Sequence, residues 1–123
     1  MAEWNYQKLI KRGEAYWVNL LSFNKPEKEK IRELQGRHPA VVISNNQQNN
    51  SSPLITILPL TSTIDKIYPF QVESYLQGKR GIILVDQIRT VDRKRFDSKI
   101  GELDEKLIGK IEKALHITLA LEE

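Results

Sequence analysis

Short apolar runs alternate with polar or turn-forming stretches along most of the chain. Runs of this length, bounded by turn signals, predict β-strands, and the unbroken run at 39–44 indicates a strand buried on both faces. The predicted strands are EAYWVNLL (14–21), PAVVIS (39–44), LITILPLT (54–61), FQVES (70–74), GIILVDQIRTV (81–91) and KIGEL (99–103). Pro59 has no N–H for a strand ladder, so it is expected near a strand end or at a bulge.

The C-terminal segment predicts a helix. Asp104 is a favourable N-cap, and Leu103 and Ile108 have the spacing of a hydrophobic staple. One face carries small and apolar side chains at helical spacing, namely Leu107, Ile108, Ile111, Ala114, Leu115 and Thr118. Packing of this face on the strands predicts a mostly β, α+β fold, either a small barrel or a half-open sheet with one terminal helix.

The remaining segments lack a clear strand pattern. We interpret residues 1–12 as a short helix, 22–36 as a long charged excursion with one helical turn, 45–53 as a polar connection, 75–80 as a loop and 92–96 as a turn or a single helical turn. Loops as long as 22–36 are usually functional or mobile in a small domain.

Composition narrows the class of protein. The 123 residues are expected to form one domain, and 40% hydrophobic with 28% charged residues is typical of a soluble protein. The chain has no cysteine, which excludes disulfides and thiolate chemistry. Neither a bilayer-length apolar run nor a secretory leader is visible, so a cytoplasmic location is expected.

The net charge of +3 is mild, but the positive residues cluster at GRH (36–38), GKRG (78–81) and KRFD (94–97). Such clusters would suit a surface that binds a polyanion. On charge alone, solvated turn residues are the preferred interpretation.

Several kinds of site lack their motifs. The glycines are isolated, so no phosphate-binding loop is predicted, and no serine nucleophile motif occurs. Neither His38 nor His116 has a carboxylate at metal-ligand spacing, so no metal or other cofactor is expected. His116, near the end of the terminal helix, is suited to the helix dipole.

Polar and basic residues are concentrated at the ends of the predicted strands: Arg37, His38, Thr61, Ser62, Asp86, Gln87, Arg89 and Thr90. These types suit metal-free RNA cleavage. That reaction needs a group to take the proton of the ribose 2′-hydroxyl, a group to protonate the departing 5′-oxygen, and donors around the phosphorane-like transition state. Residue types alone still favour a solvated strand start for Arg37 and His38.

Five segments, in order, resemble the MazF/PemK/Kid family of toxin endoribonucleases, also called mRNA interferases. They are RGEAYWVNL (12–20), GRHPAVVISN (36–45), SPLITILPLTS (52–62), GIILVDQIRTVDRKRF (81–96) and KIGELDEKLIGKIEKALHITLAL (99–121). The similarity runs from about Arg12 to Leu121. Residues 1–11, an N-terminal extension of the single domain 1–123, and the 22–36 insertion lie outside it.

The resemblance implies an SH3-like barrel of the CcdB/MazF type that forms a homodimer. It also implies sequence-selective, metal-independent cleavage of single-stranded mRNA by the ribose 2′-hydroxyl, leaving 2′,3′-cyclic phosphate and 5′-hydroxyl ends. A cognate antitoxin would neutralise the toxin by placing an acidic tail in the RNA groove.

Family site residues carry over one by one. The resemblance implies that Thr61 is catalytic with Ser62 beside it. It also implies that the residues of the QIRT motif, Gln87, Arg89 and Thr90, bind substrate, in part through a structural role.

The family's catalytic arginine precedes the proline of the second strand, where this chain has His38, and Arg37 stands one place earlier. Adjacent strand residues point to opposite faces, so Arg37 is not a simple substitute. Three outcomes are open, in order of preference. His38 transfers protons while Arg37 or Arg89 supports the phosphate, or irregular backbone brings Arg37 into the site, or catalysis is weak or lost.

The alternative function is a non-cleaving, CcdB-like toxin that binds DNA gyrase; a catalytically degenerate family member is a further possibility. Gyrase binders of this architecture use exposed aromatic or apolar C-terminal residues, whereas this chain ends in LALEE. The chain also has the QIRT motif of the RNA-cleaving branch of these toxins, so RNA cleavage is the preferred function.

Overall fold

One curled sheet of seven strands dominates the computed structural model, which describes residues 9–20, 33–63 and 66–121. The strands are β1 (Glu14–Leu20), β2 (Gly36–Val42), β3 (Leu54–Thr61), β4 (Gln71–Leu76), β5 (Lys79–Leu84), β6 (Arg89–Asp92) and β7 (Phe96–Glu102). Two helices, α1 (Asn46–Ser51) and α2 (Glu105–Thr118), and the 3-10 turns Val85–Gln87 and Arg93–Arg95 lie between or after them. The antiparallel order is β4-β5-β3-β2-β1-β7, and β6 pairs with the first half of β3.

An apolar core lies on each face of the sheet, because side chains alternate along every strand. The first core takes alternate residues of β1, β2 and β3 together with Ile10, Val91 and Phe96. The second takes the other alternate residues of β2 and β3, part of β5, and Ile111 and Ala114 of α2. The terminal helix therefore covers the second face.

The predicted architecture, a half-barrel with a C-terminal helix, is confirmed. β1 and β3 lie where the apolar runs predicted them. The side chain of Asp104 caps α2 by accepting from the Leu107 N–H at 2.8 Å. The buried face of α2 is the predicted one.

The prediction of one long strand over 81–91 is wrong. β5 ends at Leu84, a 3-10 turn follows, and β6 begins at Arg89. Both strands pair with the same edge of β3, β5 with its last two residues and β6 with its first four. From Ile83 to Arg89 the chain takes six residue steps while β3 takes three, so the residues between the two strands leave the ladder as a 3-10 turn, which an unbroken apolar run does not reveal.

Other boundaries also differ from prediction. The 45–53 connection contains α1, whose N-cap Asn45 accepts from the Gln48 N–H at 2.8 Å. Residues 75–80, expected as a loop, are mostly paired strand in the β4–β5 hairpin. β2 and β7 each begin three residues earlier than predicted. The N-terminal helix and most of the 22–36 excursion fall on residues 1–8 and 21–32, outside the described residues.

Neither helix within the described ranges is long and apolar enough to cross a bilayer.

Candidate active site

A pocket opens where β2 and β3 part. The two strands pair from Val42 opposite Ile57 to Ala40 opposite Pro59, and their ladder ends there. Pro39 and Pro59 both lack a backbone N–H, so the hydrogen-bond pattern cannot continue through them. Beyond this point the start of β2 and the end of β3 become opposite walls of a cavity of about 310 Å³.

This pocket brings together four of the predicted site residues. Arg37 and His38 line it from β2, and Thr61 and Ser62 line it from the end of β3. Continuing the β2–β3 register past Ala40 and Pro59 would set His38 opposite Thr61. The tip of the β4–β5 hairpin and Ile100 of β7 close the remaining side.

The guanidinium of Arg37 is held by two neighbours. Its Cζ lies 4.3 Å from the ring centroid of Trp17, and its Nη2 lies 3.1 Å from Oδ2 of Asp97. Both ends of the ion pair are more than half exposed, so the pair adds little to stability. Its effect is instead to orient the Arg37 side chain at the rim of the pocket.

His38 has a different environment. It lies opposite Val18 of β1, one residue from the Arg37–Asn19 pair, and is half-buried. None of the described residues hydrogen-bonds its imidazole. The pocket lies where β2 parts from β3 while staying paired with β1, and it is bordered by both neighbours, although they point to opposite faces of the strand.

The hydroxyl of Thr61 is also positioned for an incoming group. Its Oγ1 accepts a hydrogen bond from the backbone N–H of Thr63 at 3.2 Å. A hydroxyl carries one donor and two acceptor positions, so its proton remains available to a ligand oxygen. Thr61 is half-buried and Ser62 is exposed beside it.

The QIRT residues lie outside this pocket, within or beside β6. Oε1 of Gln87 accepts from the backbone N–H of Leu34 at 2.8 Å and from Nη2 of Arg89 at 3.2 Å. Burial lowers the pKa of Arg89, with nearby Glu33 acting in the opposite direction. The two residues thus support the segment that leads into β2.

Thr90 has a similar structural contact. Its hydroxyl oxygen lies 2.9 Å from that of Thr56, its cross-strand partner on β3. Thr56 stands five residues before Thr61, about 17 Å along an extended strand. Within one chain, Thr90 is therefore remote from the pocket.

Positive charge dominates the lining of the pocket. Arg37, Lys79 and Arg80 contribute to it, and no carboxylate of the described residues does. Arg80 is paired with Glu73 of β4. Among the described residues, no three histidine or carboxylate side chains are grouped as metal ligands. The arrangement offers cationic and hydroxyl donors around a half-buried imidazole, which suits a phosphodiester.

Comparison with known proteins decides the family. The family model described as PemK-like, MazF-like toxin of type II toxin–antitoxin system matches residues 11–119. The chain belongs to this toxin family. The resemblance found in the five sequence segments is therefore confirmed over nearly the whole chain.

Individual relatives agree with this assignment. Over 120 residues the chain is 34% identical to endoribonuclease EndoA of Bacillus subtilis (strain 168), covering 92% of this chain and 97% of that protein. It is 33% identical over 118 residues to endoribonuclease MazF of Staphylococcus epidermidis, covering 92% and 93%.

Solved structures of the toxin family share its fold. A crystal structure of MazF from Deinococcus radiodurans matches with a TM-score of 0.74 at 28% identity, covering 93% of this chain and 99% of that one. A MazE–MazF structure from the same organism matches with a TM-score of 0.71 at 25% identity, covering 94% and 100%.

Proposed function

We propose that this chain is the toxin endoribonuclease of a type II toxin–antitoxin system and cleaves single-stranded mRNA sequence-selectively. The observation that carries the proposal is the pocket itself, where Arg37 and His38 lie across from Thr61, and where the described lining residues include cations but no carboxylate. Two relatives named endoribonucleases, each matching over 92% of this chain, support it.

The chemistry follows from the residues that line the pocket. The His38 imidazole takes the proton of the ribose 2′-hydroxyl, and the 2′-oxygen attacks the adjacent phosphorus. The bond from phosphorus to the 5′-oxygen breaks, and the departing oxygen takes a proton from solvent. The products are a 2′,3′-cyclic phosphate and a 5′-hydroxyl, and no metal ion enters the balance.

Thr61 and Arg37 stabilise the negative charge on the phosphate and do not transfer protons. The Thr61 hydroxyl donates to a non-bridging oxygen, and Arg37 offers its forked donors to the same phosphate. Since Asp97 already holds Arg37, the phosphate binds a guanidinium that is oriented in advance.

We further propose a homodimer in the cytoplasm, neutralised by a cognate antitoxin with an acidic tail. The Deinococcus radiodurans MazE–MazF structures support an antitoxin partner. A pocket lined by the cations Arg37, Lys79 and Arg80 is suited to an acidic segment that competes with RNA.

The test is incubation of the pure protein with long, mixed-sequence single-stranded RNA in EDTA, with DNA of the same sequence as the control. Discrete RNA fragments and intact DNA are expected, because only ribose supplies the 2′-hydroxyl. Intact RNA across a broad set of sequences would overturn the proposal, and co-purification with gyrase would then favour the non-cleaving alternative.

A further inference from the structure

The tip of the β4–β5 hairpin has a backbone that does not suit its sequence. Leu76 pairs with Lys79, which leaves Gln77 and Gly78 as the two turn residues with φ of 53° and 77°. Two positive φ values are typical of a type I′ turn, for which Asn-Gly is strongly preferred. Glutamine in this left-handed region is uncommon and unfavourable, because its Cβ comes close to the following carbonyl oxygen, so a compensating contact is expected.

That contact joins the hairpin tip to β7 at the wall of the pocket. Nε2 of Gln77 donates to the backbone carbonyl of Ile100 at 2.5 Å, on the edge strand β7. Ile100 is the extra residue of a β-bulge, since Ala15 pairs with Gly101 while Tyr16 pairs with Lys99. Bulges re-aim backbone groups and are frequent next to active sites.

A second contact supports the first. A Cβ built on Gly101 would lie 3.8 Å from Cδ1 of Leu76, so the side chain of Leu76 rests against the glycine. Leu76, Gln77 and Ile100 all line the pocket. The hairpin tip is therefore fastened to β7 at the pocket, in one defined position.

The charge at this tip is not satisfied within the described part of the chain. Arg37 is paired with Asp97 and Arg80 with Glu73. Lys79 is exposed, lines the pocket and has no carboxylate partner among the described residues. An ammonium group with no carboxylate partner in the described part of the chain, beside two guanidinium groups that have one, is suited to a ligand anion.

We infer that Lys79 binds a phosphate of the RNA and that Gln77 is a positioning residue, which holds Lys79 there by bonding the hairpin tip to Ile100. The inference rests on the proposed function and adds substrate-binding residues to it. Neither residue is among the site residues that the family resemblance implies, although Lys79 lies in the basic cluster GKRG (78–81).

Gln77→Asn tests the positioning role without weakening the turn. Asparagine suits the left-handed backbone better than glutamine, but its shorter side chain does not reach Ile100. We expect KM for RNA to rise about fivefold, the size of one exposed charge contact, with kcat unchanged and the melting temperature equal or higher. Gln47→Asn, an exposed amide on α1, is the matched control and leaves KM unchanged.

Lys79→Met and the double variant complete the test. We expect Lys79→Met to raise KM at least as much as Gln77→Asn, and the double variant to be no worse than Lys79→Met alone, because Gln77 acts through Lys79. Wild-type KM in Gln77→Asn, or KM effects that multiply in the double variant, would overturn the inference. Wild-type protein that leaves RNA intact in the same assay would instead overturn the proposed function.

Discussion

Arg37 and His38 are neighbours on β2 with separate environments, and this difference supports the roles proposed for them. Arg37 is held between the Trp17 ring and the Asp97 carboxylate. His38 is half-buried, with no hydrogen-bond partner among the described residues. An oriented cation suits charge stabilisation, and an unoccupied imidazole suits proton transfer.

His38→Ala is therefore expected to reduce kcat at least about 100-fold, the usual minimum for loss of a general base. Arg37→Ala is expected to reduce it less, because the pocket retains other cations. Single-turnover RNA cleavage measures both, with circular dichroism to confirm folding. Unchanged activity in His38→Ala would transfer the catalytic role to Arg37.

Thr61→Val removes the hydroxyl and keeps the shape of the side chain. We expect kcat to fall roughly 10- to 100-fold, in keeping with the loss of one donor to developing charge, with KM little changed. Thr56→Val, on the same strand but remote from the pocket, is the control and should retain wild-type kcat. Equal losses of kcat in the two variants would show that the Thr61 hydroxyl supports the structure of β3 and does not bind the phosphate.

At the residue scale, the sequence predicted the pocket residues through family resemblance rather than through residue types. By residue type alone, Arg37 and His38 indicate a solvated strand start. Only their position within the five segments that resemble the family indicates a functional role. The sequence places Lys79 only in a basic cluster interpreted as solvated turn residues, and it gives no sign of Gln77, because the relation of Gln77 to the pocket depends on a hydrogen bond to a bulge 23 residues away. Such tertiary contacts leave no local pattern in a sequence.

Among the elements, the junction of β1 and β7 depends on one buried carboxylate. Glu14 is 6% exposed, and its oxygens accept from the Lys11 N–H at 2.7 Å, from the Tyr16 hydroxyl at 3.0 Å and from Nζ of Lys99 at 2.7 Å. Burial alone would raise the pKa of Glu14, but the hydrogen bonds from Lys99, Lys11 and Tyr16 outweigh it and lower the pKa.

Glu14→Ala should lower the free energy of unfolding by about 2–3 kcal/mol, because several donors lose a buried acceptor. Denaturant unfolding at neutral pH measures this. Glu102→Ala is the matched control, since Glu102 pairs with the same lysine from an exposed position, and its expected cost is below about 1 kcal/mol.

The same carboxylate predicts an acid dependence. The folded pKa of Glu14 lies below its ordinary value of 4.5, so the native state binds fewer protons than the unfolded chain. Its stabilisation is present above that pH and is lost as the pH falls through the folded pKa. Between neutral pH and pH of about 3, wild type should lose more stability than Glu14→Ala, and parallel losses would contradict this account.

The elements that the sequence predicted well are those with strong periodicity. β3 and α2 were found because apolar spacing and capping residues agree with their tertiary packing. Helix α1 was missed because NQQNNS has no apolar stripe; it is anchored instead by Asn49, which is fully buried and donates to the Ser44 carbonyl. The 3-10 turn between β5 and β6 was missed because the apolar run continues through it, and only the pairing of both strands with β3 shows where the chain leaves the ladder.

For the whole molecule, the net charge of +3 is less informative than its distribution. Two of the three basic clusters in the sequence, at 36–38 and 78–81, lie on the same pocket although they are far apart in the chain. The fold thus converts scattered turn residues into one cationic surface.

Salt dependence tests this surface. Neutralising about three phosphates on a single strand should give a slope near −2 for the logarithm of the binding constant against the logarithm of salt concentration. Lys79→Met should make the slope less steep by about 0.7, whereas Lys113→Met, on α2, should leave it unchanged. His38→Ala as the background and labelled single-stranded RNA allow binding to be measured without cleavage, and equal slopes in the two lysine variants would contradict the assignment of Lys79.

The central claim is that RNA is cleaved in the pocket between β2 and β3 by its own 2′-hydroxyl. Mass spectrometry of the RNA ends formed by wild-type protein in EDTA tests it most directly. The account predicts 2′,3′-cyclic phosphate and 5′-hydroxyl ends, and no such ends with His38→Ala. Ends carrying a 5′-phosphate, or the same products from His38→Ala at the wild-type rate, would contradict it.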